Sequence, residues 1–311
     1  MQLKNLSFDG LDKHDNRKTS SNVKIINQAL SSMGFMTVST QIINEVLLRD
    51  VFNSSKDFFA LNNEQKMKSA YLSAGENFGF HATASEHLDP TKPADLKETF
   101  TMRNILNKDI EDDRWPSPEF KELMQRFFAE CLDKAHLLQR LLATALGVEE
   151  SFFVKCHSGE NVTLRLLHYP SIDAAQISES QLGAGAHTDY GLFTLLFQDS
   201  VKGLEVCDPW GNWTPIDASS SSIVVNSGDL LERWTNGKYR STLHRVKPIT
   251  DGTDRFSVAF FVDPDSDTQV DVLKTCISEE RPKQYPSVTA GDYILKRIED
   301  SQRQLASACD Q

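Results

Sequence analysis

The sequence predicts a mainly β fold with flanking helices, built as one fused unit. Helical patterns dominate the chain up to about residue 150 and return only at its end. After residue 160 the texture changes to short apolar or alternating runs separated by Gly, Pro, Asn and Asp, which is typical of a β-sandwich or barrel. We therefore expect a helical N-terminal region over residues 1–150, a β core over 151–290 and a C-terminal helix over 291–311.

The elements follow in chain order. The first half predicts a strand over 3–8 with a turn at 9–10, a helix over 23–32 ended by Gly34, a strand over 35–38, a helix over 40–59, a loop over 73–93 and a helix over 118–146. The second half predicts strands over 162–168, 191–198, 204–206, 213–216, 222–225, 239–246 and 255–262, then a helix over 291–305. A strand predicted over 97–102, which Arg103 follows, would place Thr99, Thr101 and Arg103 on one face.

Composition excludes several classes of protein. The chain has 311 residues, of which 39% are hydrophobic and 25% charged, and its 18 Phe argue against a disordered chain. A net charge of −11 without a basic stripe argues against a nucleic-acid partner. No apolar run approaches the roughly 18 residues of a membrane span. The N-terminus lacks a signal-peptide core, so we expect a cytoplasmic protein that does not bind membranes.

The cysteines do not predict a disulfide framework or a zinc ribbon. There are five of them, widely spaced and without a CxxC pair. We expect them to be reduced thiols. The composition therefore leaves the histidines and carboxylates as the residues that would hold a metal ion.

One histidine–carboxylate pair has the spacing of a metal site. His187 and Asp189 are two residues apart beside a predicted strand, where residues i and i+2 point to the same face. His244 lies in another predicted strand and could supply a third ligand. Two His and one carboxylate leave open positions on a metal, as in the facial triad of non-haem Fe(II) oxygenases. A second pair, His87 and Asp89, lies in the predicted loop, and we interpret it as surface.

An arginine and a serine form a second pattern. Arg255 and Ser257 are again i and i+2 on a predicted strand, and a guanidinium beside a hydroxyl suits a carboxylate. Their distance along the chain from His244 suits a hairpin, in which one strand carries the metal ligand and the next carries the carboxylate anchor.

These motifs resemble those of one family, the isopenicillin N synthase-like branch of the Fe(II)/2-oxoglutarate-dependent dioxygenases. The similarity lies in the run 187–196, in 225–229, in 235–241 and in 244–246, with the Arg-x-Ser pattern following. Residues 29–35, 66–68 and 97–100 are similar to the family's N-terminal half. The sequence departs from the plant pattern at Leu167, where Asn is usual.

The resemblance implies a double-stranded β-helix, or jelly-roll, core and a set of roles. His187, Asp189 and His244 would bind Fe(II). Arg255 and Ser257, with Tyr169, would hold the distal carboxylate of 2-oxoglutarate. The implied reaction consumes 2-oxoglutarate and O₂, with ascorbate as a reductant, releases succinate and CO₂, and oxidises an unactivated C–H bond by hydroxylation, desaturation or ring closure.

Three other functions stay open at this point. A same-fold iron oxidase that uses no 2-oxoglutarate would share the triad, and succinate production would distinguish it. A zinc hydrolase would need a general base and would not need the Arg-x-Ser pattern. A non-catalytic jelly-roll binding protein would be expected to have lost a metal ligand.

The sequence gives little information on the substrate. We expect a monomer acting on a small molecule, and the spare arginines suggest one that carries a carboxylate. Arg103 is the best single candidate to bind that group. The other candidates for substrate contacts are Phe80, Phe100, Met102, Arg165, His168, Asn226 and Phe261.

Overall fold

Two β-sheets form the centre of the protein. The computed structural model describes residues 3–7, 16–89, 91–217 and 219–302. Its strands are β1 (Lys4–Leu6), β2 (Phe35–Ser39), β3 (Phe78–His81), β4 (Glu98–Arg103), β5 (Thr163–Tyr169), β6 (Ala184–His187), β7 (Phe193–Gln198), β8 (Leu204–Cys207), β9 (Trp213–Pro215), β10 (Ser222–Ser227), β11 (His244–Val246), β12 (Arg255–Val262), β13 (Gln269–Val270) and β14 (Val288–Thr289). The helices are α1 (Asn16–Ser32), α2 (Glu45–Phe59), α3 (Asn63–Met67), α4 (Pro118–Leu146), α5 (Asp229–Trp234) and α6 (Ala290–Gln302).

The two sheets make the jelly-roll core that the sequence predicts. The larger sheet has eight strands in the order β1-β2-β10-β7-β12-β5-β4-β3, and the smaller has four in the order β6-β11-β8-β9. Apolar side chains from both sheets meet between them, as where Val224 of β10 packs near Leu204 and Val206 of β8. The space between the sheets also contains the polar groups described below.

Helices cover the outer face of the larger sheet. The main apolar core joins side chains of α1, α2 and α4 to the strands, as where Phe128 of α4 contacts Phe260 of β12. Helix α4 has the bounds that the sequence predicts. The Ser117 side chain accepts a hydrogen bond from the Phe120 amide at its start, and Gly147 ends it in the left-handed conformation at φ +67°.

The N-terminal region is more than helices packed on a β core. It contributes β1, β2, β3 and β4, half of the larger sheet, so the sheet runs across the boundary expected at residue 150. The loop expected over 73–93 contains β3, which pairs with β4. Its Gly79 has φ +120° and packs where a Cβ would lie 2.7 Å from the Ala70 carbonyl, so a glycine that suggests a loop here belongs to a strand.

The expected hairpin between the metal ligand and the arginine is wrong. β11 lies in the smaller sheet and β12 in the larger one, so the chain crosses from one sheet to the other between them. β6 and α5 were also not expected. The opening strand is shorter than predicted, with residues 8–10 outside the described part, and α6 is described as far as Gln302.

Within the described ranges, no helix is both long and apolar enough to cross a membrane. The cysteines at 131, 156, 207 and 276 are free thiols, as expected, and Cys309 lies outside those ranges.

Candidate active site

A pocket opens between the two sheets. The larger sheet forms its floor, the smaller sheet one wall, Glu86, Leu88 and Lys97 another, and α6 contributes Ile294 and Ile298. The polar residues that line it are Asn77, His81, Glu86, Lys97, Thr101, Thr163, Arg165, His187, Thr188, Asp189, Thr194, Asn226, His244, Arg255, Ser257 and Asp263. The pocket therefore contains all three residues of the predicted metal site.

The structure brings His187, Asp189 and His244 together. Their potential ligand atoms lie within 4.8 Å of one another. The Oδ1 atom of Asp189 is 3.6 Å from Nε2 of His244 and 3.9 Å from Nε2 of His187. His187 ends β6 and lies opposite His244 of β11 in the antiparallel pairing, whereas Asp189 follows β6. Strand pairing therefore sets the distance between the two imidazoles, and the turn after β6 supplies the carboxylate.

Neighbouring groups orient each of these side chains. Nδ1 of His187 donates to the Gly185 carbonyl (2.7 Å) and Nδ1 of His244 to that of Thr242 (3.1 Å), so Nε2 is the nitrogen of each ring that is available to a ligand. Oδ2 of Asp189 accepts hydrogen bonds from Thr194 Oγ1 and from Asn226 Nδ2 (2.6 Å). The Oδ1 atom stays available to a ligand.

The protonation states suit a cation. Burial lowers the pKa of His187 to about 3, assisted by the neighbouring His244. Burial alone would raise the pKa of Asp189, but the two imidazoles and its hydrogen bonds bring it below the usual value. Two imidazole nitrogens and one carboxylate oxygen are the donor set of a non-haem Fe(II) site, so these residues fit that ion.

Another end of the pocket holds a buried arginine. Arg255 is only 1% exposed, and in the described chain no carboxylate forms an ion pair with it. Its guanidinium donates to Gln198 Oε1 (3.0 Å) and Ser257 Oγ (3.3 Å) and lies 4.8 Å from the centre of the Tyr169 ring. A buried cation held only by neutral groups is suited to a carboxylate supplied by a ligand.

Glu86, Lys97 and Arg165, of which only Arg165 is among the sequence-based candidates, form a second charged cluster in the pocket lining. Arg165 donates to Glu86 and, through Nε, to Thr101 Oγ1 (3.1 Å). Lys97 forms ion pairs with Asp95 and with Glu86, the latter at 3.2 Å. The alternation of polar and apolar residues along β4 was the signal available in the sequence for this face of the pocket, because it places Thr101 on the face opposite Phe100.

The candidate substrate residues divide between the two faces of the sheet. Arg165, Asn226 and Phe261 line the pocket. Phe100 does not, because it packs on the helix side against Phe58, Phe78 and Phe120, and Phe80 and Met102 are buried in the same core.

His168 also lies on the helix side. It stacks on Phe256 at 4.7 Å between ring centres and bonds to Asp254 (2.8 Å). Arg103 lies beside the pocket rather than in its lining. Its Nε and Nη2 are 3.2 and 3.1 Å from the side-chain amide of Asn77, and they donate to its oxygen when that amide is turned to satisfy both of its groups.

The pair His87 and Asp89 lies outside any helix or strand, as expected, but the segment that carries it packs against the pocket. Leu88 lines the pocket, and the Asp89 amide packs so close to Gly185 that a Cβ there would lie 2.6 Å away. Asp89 Oδ1 accepts bonds from Thr91, which leaves this carboxylate engaged in its own turn.

Comparison with known proteins shows which family the chain belongs to. A model of the 2OG-Fe(II) oxygenase superfamily matches residues 161–264, and a model of the N-terminal region of non-haem dioxygenase in morphine synthesis matches residues 5–129. A proline hydroxylase from Petromyces alliaceus is 33% identical over 287 residues, which cover 87% of this chain and 90% of that protein. The chain belongs to the 2OG-Fe(II) oxygenase superfamily.

Further relatives of this oxygenase are also associated with 2-oxoglutarate. A 2-oxoglutarate-Fe(II) type oxidoreductase from Emericella nidulans is 31% identical and covers 88% of this chain and 82% of its own length. A full-length Neurospora crassa protein, crystallised with alpha-KG and thymine, has a TM-score of 0.87 at 28% identity, with 96% of each chain covered. The protein is thus a 2-oxoglutarate-dependent dioxygenase with Fe(II) as its metal. It is not the iron oxidase without 2-oxoglutarate, the zinc hydrolase or the non-catalytic binding protein that the sequence left open.

Proposed function

We propose that His187, Asp189 and His244 hold the Fe(II) ion of this oxygenase. The supporting observation is the convergence of two imidazole nitrogens and one carboxylate oxygen within 4.8 Å in the pocket. Fe(II) bound there supplies the O₂ chemistry that oxidises a C–H bond. The chain itself supplies the fixed orientation of the ligands through Gly185, Thr242 and the partners of Asp189.

Arg255, Ser257 and Tyr169 are the proposed anchor for the distal carboxylate of 2-oxoglutarate. The guanidinium is buried beside one hydroxyl and one aromatic ring, without an acid of its own in the described chain. Leu167 pairs with Ser257 across β5 and β12 and lines the pocket, so an apolar side chain takes the place of the Asn usual in plant members.

The proposed substrate is a small molecule that enters the rest of the pocket, between Arg165, Phe261 and α6. The Neurospora crassa structure contains thymine beside alpha-KG, which supports a substrate of that size. The expectations of a monomer and of a cytoplasmic protein stay predictions. Light scattering during size-exclusion chromatography tests the first and cell fractionation tests the second.

Succinate release tests the assignment of the site. Purified protein with Fe(II), 2-oxoglutarate, O₂ and ascorbate should form succinate, and His187→Ala, Asp189→Ala and His244→Ala should each abolish it because two protein ligands hold Fe(II) poorly. The control His87→Ala changes the other His-x-Asp pair and should retain the wild-type rate. An active His187→Ala variant together with an inactive His87→Ala variant would contradict the assignment.

A further inference from the structure

We propose that the substrate of this oxygenase is uncharged and presents an N–H donor next to a C=O acceptor, which Glu86 and Arg165 bind. This inference rests on the proposed function, since it concerns the substrate part of the same pocket. It differs from the substrate carboxylate expected from the sequence, in which the arginines were interpreted as spare.

The first argument is charge. Arg165 is paired with Glu86, and Lys97 is paired with Asp95 and lies 3.2 Å from Glu86. All four side chains are 15% exposed or less. Two cations and two anions sum to zero, so a carboxylate substrate would add an uncompensated negative charge to a buried cluster, which is costly.

The second argument is hydrogen-bond capacity. Glu86 is 8% exposed and lines the pocket, and its Oε2, which is ion-paired with Lys97 Nζ at 3.2 Å, accepts no hydrogen bond of good geometry in the described chain. Its pKa is lowered despite its burial, because Arg165 and Lys97 are close, so it is an ionised acceptor. Beside it, Arg165 donates through Nε and Nη2 and has further N–H groups. An acceptor next to a donor complements an amide-like edge.

The third argument is the surroundings of this pair. His81 lines the pocket next to Glu86, and burial lowers its pKa to about 4, so it stays neutral at physiological pH. Its Nε2 also has no hydrogen-bond partner in the described chain. Leu88, Phe261 and Ile294 supply apolar contacts in the same pocket, so these polar groups would orient a largely apolar ring or chain.

The test uses two probes of equal size, benzamide and benzoate. Both are titrated calorimetrically into the wild-type protein loaded with Fe(II) and 2-oxoglutarate without O₂. Benzamide should bind at least about tenfold more tightly than benzoate, because it matches the pair without adding charge. Tighter binding of benzoate, or binding of neither probe at millimolar concentration, would overturn the proposal.

Glu86→Gln assigns the preference to this pair. The glutamine keeps the shape of the Glu86 side chain but removes the negative charge that is paired with Arg165. The ratio of benzamide affinity to benzoate affinity should therefore fall by at least about tenfold. Glu76→Gln is the matched control, since Glu76 is ion-paired with Arg114 outside the pocket lining, and it should keep the wild-type ratio. An unchanged affinity ratio in Glu86→Gln would overturn the assignment to this pair. If that variant fails to fold, the comparison of the two probes in the wild-type protein decides whether the proposal stands.

The same preparations separate this inference from the proposed function. Succinate formed by the wild-type protein after O₂ is admitted reports on the iron and 2-oxoglutarate sites alone. Loss of succinate would refute the proposed function, whereas normal succinate release with a preference for benzoate would refute only the substrate class.

Discussion

At the scale of single residues, the two oxygens of Asp189 have different environments. One is held by Thr194 and Asn226, and the other faces the two imidazoles. A carboxylate fixed in this way binds a metal ion without losing further rotational freedom. The groups that orient metal ligands therefore contribute to affinity although they do not touch the metal.

Asn226→Ala should weaken Fe(II) binding by about 10- to 100-fold, because Asp189 loses one of the two donors to Oδ2. Anaerobic competition with a chromophoric chelator measures this affinity. Asn212→Ala is the control, since the exposed Asn212 bonds to Asp208 in a surface turn and should leave metal binding unchanged. Equal affinity in Asn226→Ala and the wild type would remove this role of Asn226.

Arg255→Ala should weaken 2-oxoglutarate binding by about 2–5 kcal/mol, because a buried carboxylate loses its charged partner. Ser257→Ala and Tyr169→Phe should cost about 1 kcal/mol each, as expected for one hydrogen bond. Titration of 2-oxoglutarate against succinate formation measures the change, while chelator competition should show intact metal binding. Arg126→Ala, on the exposed side of α4, is the control. Unchanged 2-oxoglutarate dependence in Arg255→Ala would refute the anchor.

At the scale of elements, α6 is fastened to the turn that carries Asp189. Arg297 forms an ion pair with Asp229, donates to Thr188 Oγ1 (3.1 Å) and lies 4.6 Å from the centre of the Tyr190 ring. Ile294 and Ile298 of the same helix line the pocket. One side chain thus links the pocket wall to the segment between two of the proposed metal ligands.

Arg297→Met should loosen α6 and raise the KM for substrate, while substrate-free succinate release changes little. Hydrogen exchange of the amides in residues 290–302 should become faster, because the helix loses its polar attachment. Lys296→Met is the matched control on the exposed side of α6 and should alter neither measurement. If Arg297→Met has the same amide exchange rates and the same KM as the wild type, apolar packing alone holds the helix.

Elements with local signals were predictable from the sequence, and those set by tertiary contacts were not. α4 has a capping serine and a terminal glycine, and β12 is an apolar run after Arg255 interrupted only by Ser257, so both were predicted with their observed bounds. β6 has only small residues before His187 and gives little periodic signal. The hairpin was wrong because chain spacing does not tell which sheet a strand joins.

The same distinction holds for the site. The His-x-Asp and Arg-x-Ser patterns are local and indicated the triad and the anchor. Glu86 comes from a segment without regular structure, and only packing against β4 and β5 brings it to Arg165. Its place in the pocket could not be inferred from neighbouring residues.

At the scale of the whole molecule, buried histidines couple stability to pH. His157 is 1% exposed, and burial lowers its pKa from 6.5 to about 3. His81 shifts in the same direction, to about 4. Between these values and 6.5 the unfolded chain binds protons that the folded chain does not, so stability falls as the pH decreases. Asp263 acts in the opposite direction, because burial raises its pKa to about 7 and its folded form keeps a proton.

His157→Gln isolates one of these contributions. At pH 8 the substitution should destabilise the protein, because the bond from Nδ1 to the Phe153 carbonyl (2.6 Å) and its packing are altered. Below pH 6.5 that cost should shrink by about 1.4 kcal/mol per pH unit, because the wild type alone must keep this buried imidazole neutral. Urea unfolding of both proteins at pH 8, 6.5 and 5.5 measures the difference, in which contributions common to both cancel. A cost that is the same at all three pH values would show that His157 does not contribute to the acid sensitivity of the fold.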